Sequence, residues 1–132
     1  MASLFSRIVA GEIPCHRIAE DEQHLAFLDI MPLVEGHVLV IPKKETDYLF
    51  DLEPEALASL WKFAQPIALA MGRELPCKRI GTAVIGLEVP HAHIHLVPLN
   101  QVGDINFTKE KLTPSQEELA LMAERLRRAL NS

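Results

Sequence analysis

Apolar positions recur along this chain with two periods, and the switches between them mark out its elements. Leu4-Phe5-Ser6-Arg7-Ile8-Val9 is a short apolar-periodic segment stopped by Gly11 and Pro14. Arg17–Glu20 reads as a short strand, Asp21-Glu22 as a turn, and His24–Ile30 as a second strand ended by Met31-Pro32. Glu35-Gly36 turns the chain into a third strand, His37–Pro42, rich in β-branched residues. Lys43–Asp47 is then a polar connector with Lys43 and Lys44 at the surface. Pro54 and Glu55 open a long helix running to about Met71, with Leu57, Leu60, Trp61, Ala64, Ala68 and Met71 in one apolar stripe. Pro66 inside it predicts a kink and a lost i−4 hydrogen bond, and Gly72 and Pro76 close it. A strand over Arg79–Ile85 follows, and Gly86 leads into the run Val89–Pro98. Past Asn100 the stretch Gln101–Lys111 is irregular. Thr113 as N-cap, Pro114 at N1 and Gln116 at N3 then predict a capping box that opens a last helix. Leu119, Leu121, Met122, Leu126 and Leu130 form its apolar side, while Arg125, Arg127 and Arg128 suit its C-terminal dipole. With no repeat or linker, this pattern predicts one α+β domain over residues 1–132, its five-stranded sheet mostly antiparallel, with one long and one C-terminal helix.

The run Val89–Pro98 alternates His91, His93 and His95 with Ala92, Ile94 and Leu96. On a strand, that period sends the imidazoles to one face and the apolar side chains to the other. A core has no use for three groups that titrate near neutrality, so the histidine face is a candidate for chemistry. His37, at the head of its own strand with Leu39 and Ile41 on the same face, is a candidate fourth member. His16 and His24 lie in polar surroundings and read as surface residues.

Composition narrows the possible partners. A formal net charge of −5 argues against a nucleic-acid polymer, because a phosphate backbone needs a basic surface; a small nucleotide in a local donor-rich pocket stays open. At 132 residues and 48% apolar content the chain can build a proper core. No apolar run approaches the ~18 residues of a membrane span, and no signal-peptide core opens the chain. Cys15 and Cys77 lack CxxC spacing and suit free thiols in a reducing cytoplasm.

Two chemistries fit histidines at this spacing. Imidazoles two apart on a strand can hold zinc, here with Glu88 as a further group. Alternatively, a neutral imidazole can attack an electrophilic phosphorus while its neighbours hold the tautomer and donate to the phosphoryl oxygens. Spacing alone does not choose between them.

The residues His91-Ala92-His93-Ile94-His95-Leu96-Val97 resemble the signature of the histidine-triad (HIT) superfamily. Phe27-Leu28-Asp29-Ile30, Gly36–Lys44 and the opening Leu4–Pro14 are similar to its Hint-like branch, in order, from about residue 3 to 98. The resemblance implies a HIT-like core over 3–100, extended here by a helix over 113–130. It also implies a homodimer whose sheets join through the strand before the triad and the long helix. The implied activity is hydrolysis or transfer at the α-phosphorus of a purine (AMP-like) nucleotide derivative, with no cofactor or metal. His93 matches the nucleophile, which forms a nucleotidyl-histidine. His91 and His95 match residues that contact phosphate and handle protons, and His37 supports them. Asp29 matches the carboxylate that grips the ribose hydroxyls. Phe5, Ile8, Phe27, Ile30, Leu39 and Val89 match the nucleotide-binding walls. A non-catalytic nucleotide-binding module is the alternative.

Three departures from the family pattern stand out. Ser3 and Ser6 occupy the positions of an N-terminal CxxC that many bacterial relatives use as half of a zinc site, so no structural zinc is expected. Gly86-Leu87-Glu88-Val89 replaces the common Gly-Gln-Ser-Val, and both side-chain donors toward phosphate are lost. A carboxylate about 4 Å from a phosphate would cost up to ~4 kcal/mol at an effective dielectric of 20. The loop before this segment is short, and the chain continues into the extra helix.

Overall fold

The computed structural model describes residues 2–132. Its elements are α1 (Leu4–Val9), β1 (Arg17–Glu20), β2 (His24–Leu28), β3 (Val38–Pro42), α2 (Pro54–Glu74), β4 (Arg79–Ala83), β5 (Ile94–Leu99) and α3 (Gln116–Leu130). The strands form one sheet in the order β1-β2-β3-β5-β4, with every neighbouring pair antiparallel. No helix among the described residues is long and apolar enough to cross a membrane.

The sheet is covered on both faces, and alternation along each strand divides its residues between two clusters. Ala26 and Leu28 of β2, Val38 and Val40 of β3, and Ile94 and Leu96 of β5 pack with Leu60, Ala64, Ile67 and Met71 of α2 and Leu119, Ala123 and Leu126 of α3. Leu25 and Phe27 of β2 and Leu39 and Ile41 of β3 point the other way, toward Phe5 of α1. Both-sided burial explains why these central strands read as nearly continuous apolar runs. The register then places Phe27 beside Leu39 and Leu39 beside His95, in a row across the second face. Ala92, Ile94 and Leu96 all join the larger core, so the histidines between them are turned to the α1 side.

Several boundaries differ from the sequence reading, each for a local reason. The histidine run is only partly strand. β5 begins at Ile94, because the N–H of His91 bonds to the carbonyl of Val89 and that of Ala92 to Thr46 in the connector, away from the ladder. β2 ends at Leu28, where Asp29 accepts from the N–H of Met31 and starts a turn. β4 ends at Ala83, and α2 runs on to Glu74 as one helix that contains Pro66. Its stripe includes Ile67, while Trp61 is exposed. The cap of α3 is Ser115 rather than Thr113: its hydroxyl accepts from the N–H of Glu118, whose carboxylate accepts from the N–H of Ser115. Two overlapping S/T-x-x-E/Q patterns compete here, and the one ending in a full carboxylate forms the box. Leu121, expected in the apolar stripe, faces outward. His24, expected at the surface, is buried against Phe63 with its Nδ1 on Asp21. Gly36 turns the chain into His37 at φ +89°, a backbone conformation that favours glycine, and a Cβ there would also press on the end of the Leu75 side chain at 2.6 Å.

Candidate functional site

A cavity of about 370 Å³ opens on the second face of the sheet. Its walls include Phe5, Ile8, Phe27, Asp29, Ile30, Leu39, Val89, His37, His93 and His95. His91 does not line it; it is wholly buried behind the cavity. Phe5 meets His93 edge-on at 5.0 Å and Phe27 at 5.5 Å, so α1 forms one wall and presses on the central histidine. Glu88 stands at the exposed rim, with Leu87 beside it.

The hydrogen bonds define which nitrogen of each ring carries the proton, since a backbone N–H can only donate and a carbonyl can only accept. The N–H of Leu33 donates to His37 Nδ1 at 3.1 Å. His37 therefore carries its proton on Nε2 and donates it to His95 Nδ1 at 2.9 Å. His95 in turn must carry its proton on Nε2. His93 Nδ1 lies 2.8 Å from the carbonyl of His91, so this nitrogen holds the proton and Nε2 keeps a free lone pair. The rings of His93 and His95 are 4.8 Å apart. A bare nitrogen and an N–H thus come from adjacent rings, which is what in-line attack on a phosphoryl group with protonation of its leaving group requires.

His91 has a different task. Its Nε2 donates to the carbonyl of Pro42 at 2.7 Å, and its Nδ1 accepts from the Ser3 hydroxyl at 2.9 Å. Ser3 Oγ also accepts from the N–H of Ser6 at 3.0 Å, capping α1. One oxygen of Glu45 accepts from both the N–H of Ser3 and the hydroxyl of Ser6. These bonds hold the Glu45 carboxyl down at about 2. Both hydroxyls at the former CxxC positions are therefore committed to protein partners. Hydroxyls are also poor zinc donors beside thiolates, so this set does not fit a structural zinc. The clasp joins α1, the connector and His91, whose carbonyl in turn orients His93.

Burial sets the charge state of the remaining groups. It pushes His37 down to about 4, aided by Lys111 and His93. It pushes His95 down to about 3, aided by the neighbouring His37 and His93. Burial also lowers His91, against the opposing effects of the Pro42 carbonyl and Glu45. Asp29 is raised by burial, with Lys111 and His93 partly offsetting this. Its Oδ2 lies 3.8 Å from His37 Nε2. Asp29, His37 and His95 offer donor atoms within 4.8 Å of one another, but a metal ion there would have to displace the proton shared by the two rings.

Two residues of the site were invisible in the sequence. Phe107 packs edge-on against His95 at 4.6 Å, and Lys111 lines the same cavity. Both belong to a stretch with no periodicity; the only signal is its single aromatic ring.

The depressed histidines make stability depend on pH. The unfolded chain binds protons that folded His37 and His95 refuse, so stability is full above about pH 6.5. It should fall through the window toward pH 4, by about 1 kcal/mol per pH unit for each ring. Urea unfolding at pH 7, 6 and 5 checks this: His37→Gln should flatten the fall, and equal slopes in variant and wild type would contradict the burial account.

Comparison with known proteins agrees with this geometry. The HIT domain family model matches residues 10–102. The chain is 36% identical over 99 residues to the adenosine 5'-monophosphoramidase hnt1 of Schizosaccharomyces pombe, covering 74% of each protein. Among solved structures, a zinc-bound histidine triad family protein from Mycobacterium smegmatis superposes with a TM-score of 0.84 at 34% identity, over 99% of this chain and 94% of that one. A HIT-like protein involved in cell-cycle regulation from Bartonella henselae gives 0.82 at 33% identity, over 96% and 95%. With the histidine run, the sheet order and the matched segment in agreement, the chain belongs to the HIT family.

Proposed function

We propose that the protein is a nucleotide hydrolase that cleaves nucleoside phosphoramidates at the α-phosphorus through a nucleotidyl-histidine intermediate. The observation that carries this reading is the pair formed by the bare Nε2 of His93 and the Nε2–H of His95, facing one apolar cavity that also holds Asp29. The phosphoramidase names of the fission and budding yeast relatives support the substrate class.

The steps follow from the tautomers. The anionic phosphoryl group favours protonation of His95 as it enters; the added proton goes to Nδ1, which gives up the bond from His37 and leaves the Nε2–H facing the leaving group. His93 Nε2 then attacks phosphorus in line, a P–N bond forms to the histidine, and the substrate's P–N bond breaks. The leaving amine takes the proton of His95, which becomes neutral. The positive charge on the nucleotidyl-imidazole is stabilised by the Nδ1–H bond to the His91 carbonyl. Water then attacks phosphorus, gives its proton to His95, and releases the nucleotide and His93. Asp29 would accept from the ribose hydroxyls, and Phe5, Ile8, Phe27, Ile30, Leu39 and Val89 would enclose the base. The Glu88 carboxylate at the rim favours a second reading, a nucleotide-binding module with little turnover, because it repels phosphate.

We read residues 1–132 as one unit, the core 3–100 carrying the site and the extension 113–130 packed on it. We also read the protein as a homodimer. Strand β4 is an edge of the sheet, and exposed Tyr48, Phe50, Trp61, Ile85 and Leu87 gather beside it around one shallow cavity. The free thiols of Cys15 and Cys77 support a reducing, cytoplasmic setting.

Turnover of an adenosine phosphoramidate should be lost by roughly 10³-fold or more in His93→Ala. Acid quenching of the wild type with radiolabelled substrate should trap label on His93. Wild type that binds AMP without turnover would establish the binding-module reading instead. In sedimentation, wild type should run as a dimer and Trp61→Glu as a monomer, whereas a monomeric wild type would overturn the dimer.

A further inference from the structure

We propose that Lys111 is a phosphate-binding residue of the histidine cavity, carried by a strap outside the segment that the family model matches. This rests on the nucleotide reading above and adds a residue that the matched segment, 10–102, does not contain.

Contacts on both sides of Lys111 fix the strap over the cavity. Before it, the Phe107 ring packs on His95 at 4.6 Å and reaches His37 at 6.4 Å. Directly after it, the N–H of Leu112 donates to the carbonyl of Pro32 at 2.9 Å. Between these anchors Lys111 is half-buried and shares the cavity wall with Asp29, His93 and His95. Its charge acts on the site: it favours ionised Asp29 and disfavours protonation of His37 and His95.

That charge has no fixed counterion. Among the described residues Lys111 forms no ion pair, with Asp29, Glu88 or any other carboxylate. It is also the only lysine or arginine on the cavity wall among those residues. A half-buried cation without a partner is costly, and an entering anion relieves that cost. Leu87 and Glu88 supply no neutral donor toward phosphate, and Glu88 adds a negative charge at the rim. Lys111 answers both deficits from the strap that follows β5, with three N–H donors on a flexible stem.

Titration calorimetry with AMP and with adenosine tests this on wild type, Lys111→Met and Lys111→Arg. Lys111→Met should weaken AMP by about tenfold or more and leave adenosine within about twofold, as expected for one lost charge-assisted hydrogen bond; Lys111→Arg should recover most of the loss. Unchanged AMP affinity in Lys111→Met would overturn the inference and leave the nucleotide reading intact. Equal weakening of AMP and adenosine would also overturn it, since Lys111 would then serve the strap's packing or the setting of Asp29. A wild type that binds neither ligand would overturn the nucleotide reading itself, and this inference with it.

Discussion

His93 and His95 each have one ring nitrogen committed to a protein partner, and that commitment decides what the other nitrogen presents to the cavity. For His93 the partner is the His91 carbonyl, and a lone pair remains. For His95 it is the Nε2–H of His37, itself set by the N–H of Leu33, and an N–H remains. Neutral imidazole interconverts its tautomers readily in water, so without these partners the two rings would offer a mixture of donors and acceptors. Burial reinforces the arrangement by favouring the neutral form of His37 and His95.

The fold holds these partners in place from both sides of one sheet. Ala92, Ile94 and Leu96 anchor the histidine run in the core beneath α2 and α3, and the pairing of Leu39 with His95 sets its height on the opposite face. Above that face, α1 is a six-residue helix, too short to be stable alone. Its hold on the sheet comes from Phe5 and from the Ser3–Ser6–Glu45–His91 clasp. The same clasp supports the carbonyl that orients His93, so the cavity wall and His93 share one set of bonds.

Much of this was legible in the residues, because burial on two faces writes itself into a sequence. β1, β2, β3, β5 and the long helix followed from periodicity, and the alternation of the histidines separated core from cavity. Local choices between equivalent hydrogen-bond partners were less legible. Thr113 and Ser115 both begin an acceptable capping pattern, and only the folded chain selects Ser115. His24 follows two acidic residues and looks solvated, yet Phe63, remote in sequence, covers it. Phe107 and Lys111 lie in a segment with no period at all; what places them is a backbone bond from Leu112 to Pro32 across the fold. Ser3 and Ser6 could be read as missing thiols, but their bonds to Glu45 and His91 required the geometry.

The fold fixes the histidine tautomers before any ligand arrives. Long-range ¹H–¹⁵N correlation of the imidazole rings at pH 8, on the ligand-free protein, reads those tautomers directly. The account predicts His93 protonated on Nδ1, with His37 and His95 protonated on Nε2. A His93 signal from the Nε2–H tautomer, or rapid averaging between tautomers in these rings, would contradict it.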